Sequence, residues 1–101
     1  MRKTKIVCTI GPATKSEDMM KKLIEHGMNV ARFNFSHGNY EYHKECLETL
    51  RKAAAELKLP VASMMDTKGP EVRLGRFVDD KPVEIKNGDI YTLTTENCLC
   101  R

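Results

Sequence analysis

The alternation of β-branched apolar runs with helical apolar stripes is the feature that most constrains the fold of this chain. Residues 5–10 are rich in β-branched side chains and stop at Gly11-Pro12, which is the pattern of a short buried strand. A helical stripe follows up to Gly27, and the same strand-then-helix order repeats from residue 28 until a third apolar run at 60–65. This order predicts an α/β fold with parallel strands and right-handed helical crossovers.

Local signals predict where the helices begin and end. Thr14 and Glu17 have the spacing of a capping box at the start of the first helix, and Gly27 predicts its end. His26 and His43 sit on the two helices and are expected to face solvent. The second helix carries an apolar stripe made of Tyr42, Cys46, Leu47, Leu50, Ala53, Ala54 and Leu57. The third run, residues 60–65, is predicted to be a buried strand in which Met64 and Met65 serve packing.

The pattern changes near Gly69-Pro70. Residues 72–74 alternate, and the segments 83–86 and 90–94 flank Asn87-Gly88, a dipeptide typical of a tight hairpin turn. We therefore expect the strand-helix units in residues 1–69 and antiparallel β structure in residues 70–101. Three parallel strands leave both outer edges of the sheet unpaired, so we expect the chain alone to self-associate through these edges.

Composition excludes several classes of function. With 101 residues, 41% of them hydrophobic, the chain has the size of one small globular domain and not of a multi-domain enzyme. No uncharged apolar stretch approaches the roughly 18 residues of a membrane helix, so no membrane association is expected. The net charge of +3 comes from scattered residues, which argues against nucleic-acid binding. No signal peptide is recognised at the start, and a cytoplasmic location is expected.

The four cysteines are Cys8, Cys46, Cys98 and Cys100. Their spacing is too irregular for a disulfide framework and fits a reducing compartment. Cys98 and Cys100 are close enough to bind a metal or to form a redox pair, but no second ligand pair lies nearby in the sequence. We therefore expect two ordinary thiols at these positions.

Polar side chains alternate along the second predicted strand. Arg32, Asn34 and Ser36 point to one face, and the apolar residues between them point to the other. Asp66 and Thr67 end the third strand at the same edge. Together these residues offer carboxylate, amide, hydroxyl and backbone carbonyl oxygens, the ligand type that a hard cation prefers. Arg32 adds a guanidinium whose forked N–H groups can bind phosphate or carboxylate. The same spacing also fits a buried salt bridge between Arg32 and Asp66, with Asn34 and Ser36 capping the next helix. The alternation alone does not separate these two interpretations.

Three segments resemble the first three signature segments of pyruvate kinase. They are residues 4–12 (TKIVCTIGP), 29–38 (NVARFNFSHG) and 66–73 (DTKGPEVR). Their order and spacing agree with that family over nearly the whole chain. The resemblance implies the first strand-helix units of a TIM-type (β/α) barrel in residues 1–69, followed by the start of a small antiparallel β lid domain in residues 70–101.

The resemblance also implies roles for individual residues. Asn34, Ser36, Asp66 and Thr67 match the positions that hold a potassium ion, Thr67 through its backbone carbonyl. Arg32 matches the arginine that contacts phosphoenolpyruvate and the transferring phosphoryl group. Nucleotide phosphates would be contacted by Asn34, Phe35, Ser36, His37 and Arg73, although His37 could equally cap the following helix. Such charges neutralise a phosphoryl group as it moves between two oxyanions.

The implied reaction transfers phosphate from phosphoenolpyruvate to ADP and gives pyruvate and ATP. Its cofactors would be potassium and magnesium, in a family whose members are usually homotetramers. By the same resemblance the catalytic lysine and the magnesium ligands lie outside these 101 residues, so no catalytic residue is assigned and the chain alone is expected to be inactive. The alternative is a non-catalytic domain that binds an anion, a nucleotide or a protein partner.

Overall fold

A computed structural model describes residues 3–96. The elements in chain order are β1 (Ile6–Thr9), α1 (Glu17–Glu25), β2 (Met28–Asn34), α2 (Tyr40–Leu57), β3 (Ala62–Asp66) and a short 3-10 helix (Val78–Asp80). The three strands form one sheet in the order β1-β2-β3, and both pairings are parallel. The predicted α/β order with parallel strands is therefore confirmed. Cys98 and Cys100 lie outside the described residues, so their assignment as ordinary thiols stays a prediction.

The hydrophobic core joins one face of β2 to the apolar faces of both helices. Ala31 and Phe33 of β2 are 0% and 4% exposed, which confirms that the apolar residues of this strand share the packed face. Helix α1 contributes Met20 and Ile24, and α2 contributes a buried row that includes Leu50. Each large apolar side chain buried in this way stabilises the fold by about 1.5–3 kcal/mol.

Helix α1 begins at Glu17, and Ser16 is its N-cap. The Ser16 hydroxyl accepts a hydrogen bond from the Met19 N–H at 3.4 Å. The predicted cap at Thr14 is wrong because the Thr14 side chain is used in the turn after β1, where its Oγ1 accepts from the Gly11 N–H at 2.9 Å. The helix ends at Glu25, just before Gly27, as the sequence predicts.

Helix α2 is capped by Asn39, whose Oδ1 accepts from the Tyr42 N–H at 2.9 Å. The interpretation in which Asn34 and Ser36 cap this helix is therefore wrong. The expectation that His43 faces solvent is also wrong, because this side chain is only 6% exposed. His26, at the end of α1, is exposed as expected.

Strand β3 differs from its prediction. The sequence predicts a buried strand, but residues 62–65 are exposed, with Met64 and Met65 at 39% and 62%. In the described part of the chain β3 is the last strand of the sheet and pairs only with β2. An apolar strand is buried only when other elements cover its faces, and composition does not reveal whether they do.

The chain divides into two compact units, residues 1–69 and residues 70–101. Every described residue of the second unit except Phe77 is exposed. Asn87-Gly88 forms a turn as predicted: the Asp89 N–H donates to the Lys86 carbonyl at 3.1 Å, and Gly88 has a φ of 96°.

The hairpin predicted around this turn does not form in the described residues. Segments 83–86 and 90–94 contain no strand, so this part of the prediction is wrong. An isolated pair of strands has marginal stability unless an apolar face packs against something. Here the apolar side chains remain open, with Ile85 and Ile90 exposed by 62% and 94%. The assignment of residues 70–101 to a lid domain stays a prediction.

Candidate functional site

The carboxyl ends of the three parallel strands bring polar residues to one edge of the sheet. The strand register pairs Thr9 with Arg32, and Asn34 with Asp66. The pairing continues beyond β2, where the Phe35 N–H donates to the Asp66 carbonyl at 3.0 Å. We call Thr9, Arg32, Asn34, Ser36 and Asp66 the strand-end cluster. The ends of parallel strands are where α/β folds usually bind ligands.

Arg32 links all three strands through its guanidinium. Its Nη1 donates to the Thr9 Oγ1 at 2.9 Å, and its Nη2 forms an ion pair with the Asp66 carboxylate. The salt bridge predicted from the sequence is thus present, but it is not buried: the two side chains are 29% and 44% exposed. Arginine has five N–H donors, and these contacts use two of them. The exposed fraction leaves the guanidinium within reach of a ligand from solvent.

The chain turns immediately after β2, and Asn34 organises this turn. Its Oδ1 accepts from the Ser36 N–H at 3.0 Å, and its carbonyl accepts from the His37 N–H at 3.2 Å. The side chain of His37 is exposed, whereas Phe35 is half-buried and packs against the core. The turn therefore places Ser36 and His37 next to the end of β2 and directs the aromatic ring inward.

The residues of this edge carry several oxygen atoms of the kinds that coordinate hard cations. Asn34, Ser36 and Asp66 supply amide, hydroxyl and carboxylate oxygens, and Thr67 follows β3 directly with its carbonyl. Hard cations take such all-oxygen sets, whereas transition metals favour nitrogen and sulfur ligands. Between residues 3 and 96 no group of three or more His, Cys, Asp or Glu side chains is arranged to hold a metal ion. Among the predicted ligands there is only one carboxylate, which suits low ion charge.

Arg73, the remaining predicted site residue, belongs to the second unit. Its Nη1 lies 3.2 Å from the Glu71 Oε2 in an exposed pair. Its assignment to nucleotide contacts therefore stays a prediction.

A concavity of about 320 Å³ lies away from this cluster, between α2 and the segment that leads into β3. Its lining is mainly apolar and includes Leu47, Leu50, Leu59 and Val61. Arg51 and Ser63 are the polar side chains of this lining, fewer than the polar groups that converge in the strand-end cluster. The strand-end cluster is therefore the better candidate site.

A family model described as the barrel domain of pyruvate kinase matches residues 1–101. The chain belongs to the pyruvate kinase family. The barrel model also covers residues 70–101, which were expected to begin the lid, so it does not separate the two parts.

Members of this family from plants and bacteria resemble the chain over most of its length. It is 54% identical over 94 residues, or 93% of the chain, to the "Probable pyruvate kinase, cytosolic isozyme" of Arabidopsis thaliana. It is 53% identical over the same share to the "Pyruvate kinase, cytosolic isozyme" of Nicotiana tabacum. It is 48% identical over 96% of the chain to the pyruvate kinase of Chlamydia muridarum. The chain spans about a fifth of the length of these pyruvate kinases, with 19%, 18% and 20% covered.

Sequence reasoning missed two residues at this part of the pyruvate kinase fold. Thr9, the partner of Arg32, carries a usable signal: it is the last polar residue of β1, and parallel pairing places it beside the second strand. His43 also carries one, because it begins the spacing His43, Cys46, Leu50 and Ala53, which forms the buried row of α2.

Burial in the core changes the pKa of two ionisable groups on α2. Burial raises the pKa of the Cys46 thiol and of the Tyr42 phenol. The Cys46 thiol therefore stays protonated at neutral pH, and a buried thiol of this kind is inert. We assign Cys46 to packing.

No helix of the described residues is apolar over a length that would cross a bilayer.

Proposed function

We propose that this chain supplies the potassium site and part of the phosphate and nucleotide site of a pyruvate kinase. The reaction is the transfer of a phosphoryl group from phosphoenolpyruvate to ADP, which gives pyruvate and ATP. The observation that carries the proposal is the strand-end cluster, in which Arg32, Asn34 and Asp66 converge at the sheet edge of a family member. A cytoplasmic location and a homotetrameric assembly are part of the proposal, the former supported by the names of the cytosolic relatives.

Arg32 is the proposed ligand of the phosphoryl group of phosphoenolpyruvate. A guanidinium binds phosphate oxygens with two parallel N–H donors, and its charge offsets the negative charge of the group in transfer. Thr9 and Asp66 hold the guanidinium from two sides, so its orientation is set before substrate arrives. Phosphoryl transfer depends chiefly on such positioning and electrostatic stabilisation.

Asn34, Ser36, Asp66 and Thr67 are the proposed potassium ligands, Thr67 through its carbonyl. The ion would add a fixed positive charge beside the phosphate groups. Ser36 and His37, with Asn34, Phe35 and Arg73, form the proposed nucleotide side of the site. Magnesium ligands are proposed to lie outside this chain.

Potassium titration tests the cation site directly. The backbone amide NMR chemical shifts of residues 34–37 and 66–67 should change as the KCl concentration is raised. Tetramethylammonium chloride is replaced by KCl in this titration, so that the ionic strength stays constant. Asp66→Asn should abolish this response because it removes the only carboxylate of the set. Asp18→Asn, at an exposed acidic residue of α1, should leave it unchanged. An unchanged potassium response in Asp66→Asn would exclude the proposed site.

Phosphoenolpyruvate titration tests the anion site. Arg32→Gln should weaken the response at least tenfold, since hydrogen bonds between charged groups contribute about 1.5–3 kcal/mol. Arg51→Gln, at an exposed arginine of α2, is the matched control.

The chain alone should form no pyruvate with ADP, potassium and magnesium present, and turnover above the buffer control would contradict this part of the proposal.

A further inference from the structure

His43 is a buried side chain of α2 whose imidazole ring hydrogen-bonds to the turn that follows β2. It is 6% exposed, and its Nε2 lies 2.7 Å from the His37 carbonyl oxygen. A carbonyl only accepts, so Nε2 carries the hydrogen of this bond. Nδ1 is buried and has no hydrogen-bond partner among residues 3–96. Within the described part of the chain, the single hydrogen bond of this ring therefore goes to the backbone of residue 37.

The ring of His43 also packs against the turn and the strand before it. It stacks on Phe35 with centroids 4.2 Å apart and an angle of 16° between the planes. Phe33 meets it edge-on at 6.4 Å, and Tyr42 does so at 5.3 Å. These contacts leave the imidazole little freedom, so the position of its N–H is fixed relative to β2.

Gly38 makes the close approach of turn and helix possible. It has a φ of +73°, and a Cβ there would lie 3.0 Å from Tyr42 Cδ1 and 3.3 Å from His43 Nε2. A side chain at this position would therefore push the imidazole away from the turn. The sequence thus provides both the donor and the space it needs.

We propose that His43 is a positioning residue that holds the turn of residues 35–38 in the conformation presenting Ser36 and His37 at the strand-end cluster. That His43 holds the turn follows from the contacts above. That this matters for cation and nucleotide binding rests on the proposed function. The ligand class it serves is a potassium ion together with a nucleoside diphosphate. His43 itself touches neither.

Two substitutions separate the hydrogen bond from the volume of the ring. His43→Leu fills the site without a donor, whereas His43→Gln keeps a side-chain N–H that can reach the His37 carbonyl. His26→Leu is the control, because His26 is exposed and its Nδ1 lies 2.7 Å from a helix carbonyl, that of Lys22. Amide hydrogen exchange of the 101-residue chain is measured residue by residue, with and without KCl and ADP.

His43→Leu should speed exchange of the amides at 36–38 by roughly two- to tenfold, the range of one net hydrogen bond. The amides of β2 and α1 should keep their rates, and the affinity for potassium should fall by a similar factor. His43→Gln should restore most of both quantities, and His26→Leu should alter neither. A uniform rise across residues 3–69, or rates at 36–38 equal to the wild type, would overturn the proposal.

Two further results keep the test decisive. Long-range proton–nitrogen NMR correlation of the wild type should show a hydrogen on His43 Nε2; an Nε2 without a hydrogen would overturn the proposal even where His43→Leu does not fold. Wild-type chain that responds to neither potassium nor ADP would refute the proposed function, while local exchange at 36–38 still decides whether His43 holds the turn.

Discussion

Arg32 has protein partners on both neighbouring strands, and this determines how it can act. A lysine at this position would keep the charge but not the fork that reaches Thr9 and Asp66 together. Because the pair with Asp66 is partly exposed, it contributes little to stability. Its main effect is to orient the guanidinium, so substitutions of its partners should affect binding more than folding.

Thr9→Val tests this orientation. It removes the hydroxyl that accepts from Arg32 and leaves the branched shape of the side chain. We expect a loss of stability of at most about 1 kcal/mol and a fall in phosphoenolpyruvate affinity of roughly three- to tenfold. Urea unfolding and ligand titration by NMR measure the two effects. Thr49→Val, which removes a hydroxyl that donates to the Glu45 carbonyl, should not change the affinity.

Gly38→Ala should destabilise the first unit. The left-handed backbone alone costs a residue with a Cβ about 1–2 kcal/mol, and the contacts with Tyr42 and His43 add to this. The urea midpoint should fall accordingly. Gly11→Ala is the matched control, since a Cβ there meets nothing within 4 Å. Equal midpoints for the two variants would contradict the description of this turn.

Helices α1 and α2 are joined by a network of charges at their surface. Glu17 accepts from Lys21 and Lys52, both at 2.7 Å, and Lys21 also lies 2.5 Å from Glu56. The hydrogen bonds from Lys21 and Lys52 lower the pKa of Glu17 from 4.5 to about 2. The same contacts raise the pKa of both lysines.

This network predicts a pH dependence of stability. A carboxyl whose pKa is lower in the folded state stabilises that state above its unfolded pKa, so the contribution of Glu17 is complete above pH 4.5 and is lost as the pH falls towards 2. Glu17→Gln should be less stable than the wild type at pH 7, and the difference should vanish as the pH falls below 2. Salt at 1 M should reduce the difference at pH 7 because the pairs are exposed. A difference in urea midpoint that is constant with pH would disprove this.

At the scale of elements, the periodicity of apolar residues predicts the order of strands and helices, whereas local hydrogen bonds decide where a helix begins. The order of strands and helices and the inward face of β2 followed from the spacing of apolar residues. The capping box predicted Thr14 as the cap of α1, but the Thr14 hydroxyl accepts from the Gly11 N–H, and Ser16 caps the helix instead. His43 was misjudged because its residue type suggests solvent, although its spacing places it in the buried row of α2.

At the scale of the molecule, the wrong predictions concern which elements pack against one another. Strand β3 and the segments around Asn87-Gly88 have apolar compositions, yet both are exposed. Their burial depends on neighbours that a single stretch of sequence does not specify. The roles of Asn34, Ser36, Asp66 and Thr67 came from a family resemblance, whereas the sheet edge followed from alternation and parallel pairing alone.

The first unit should fold without the second. Every residue of its core lies between Ile10 and Ala53. A chain ending at Gly69 should therefore keep the NMR signals of residues 3–60 and unfold at nearly the same urea concentration. The control is the 101-residue chain under the same conditions. Loss of dispersed signals on removal of residues 70–101 would show that the first unit needs them.

Strand β2 belongs to the core and to the site at once, and this has a consequence for folding errors. Ala31 and Phe33 alternate with Arg32 and Asn34, so a slip of one residue against β1 and β3 would exchange the two faces. The slipped sheet would bury a guanidinium and expose a phenyl ring in the same step. Misaligned molecules are therefore heavily disfavoured, and any molecule with a well-packed core also carries a correctly aligned strand-end cluster.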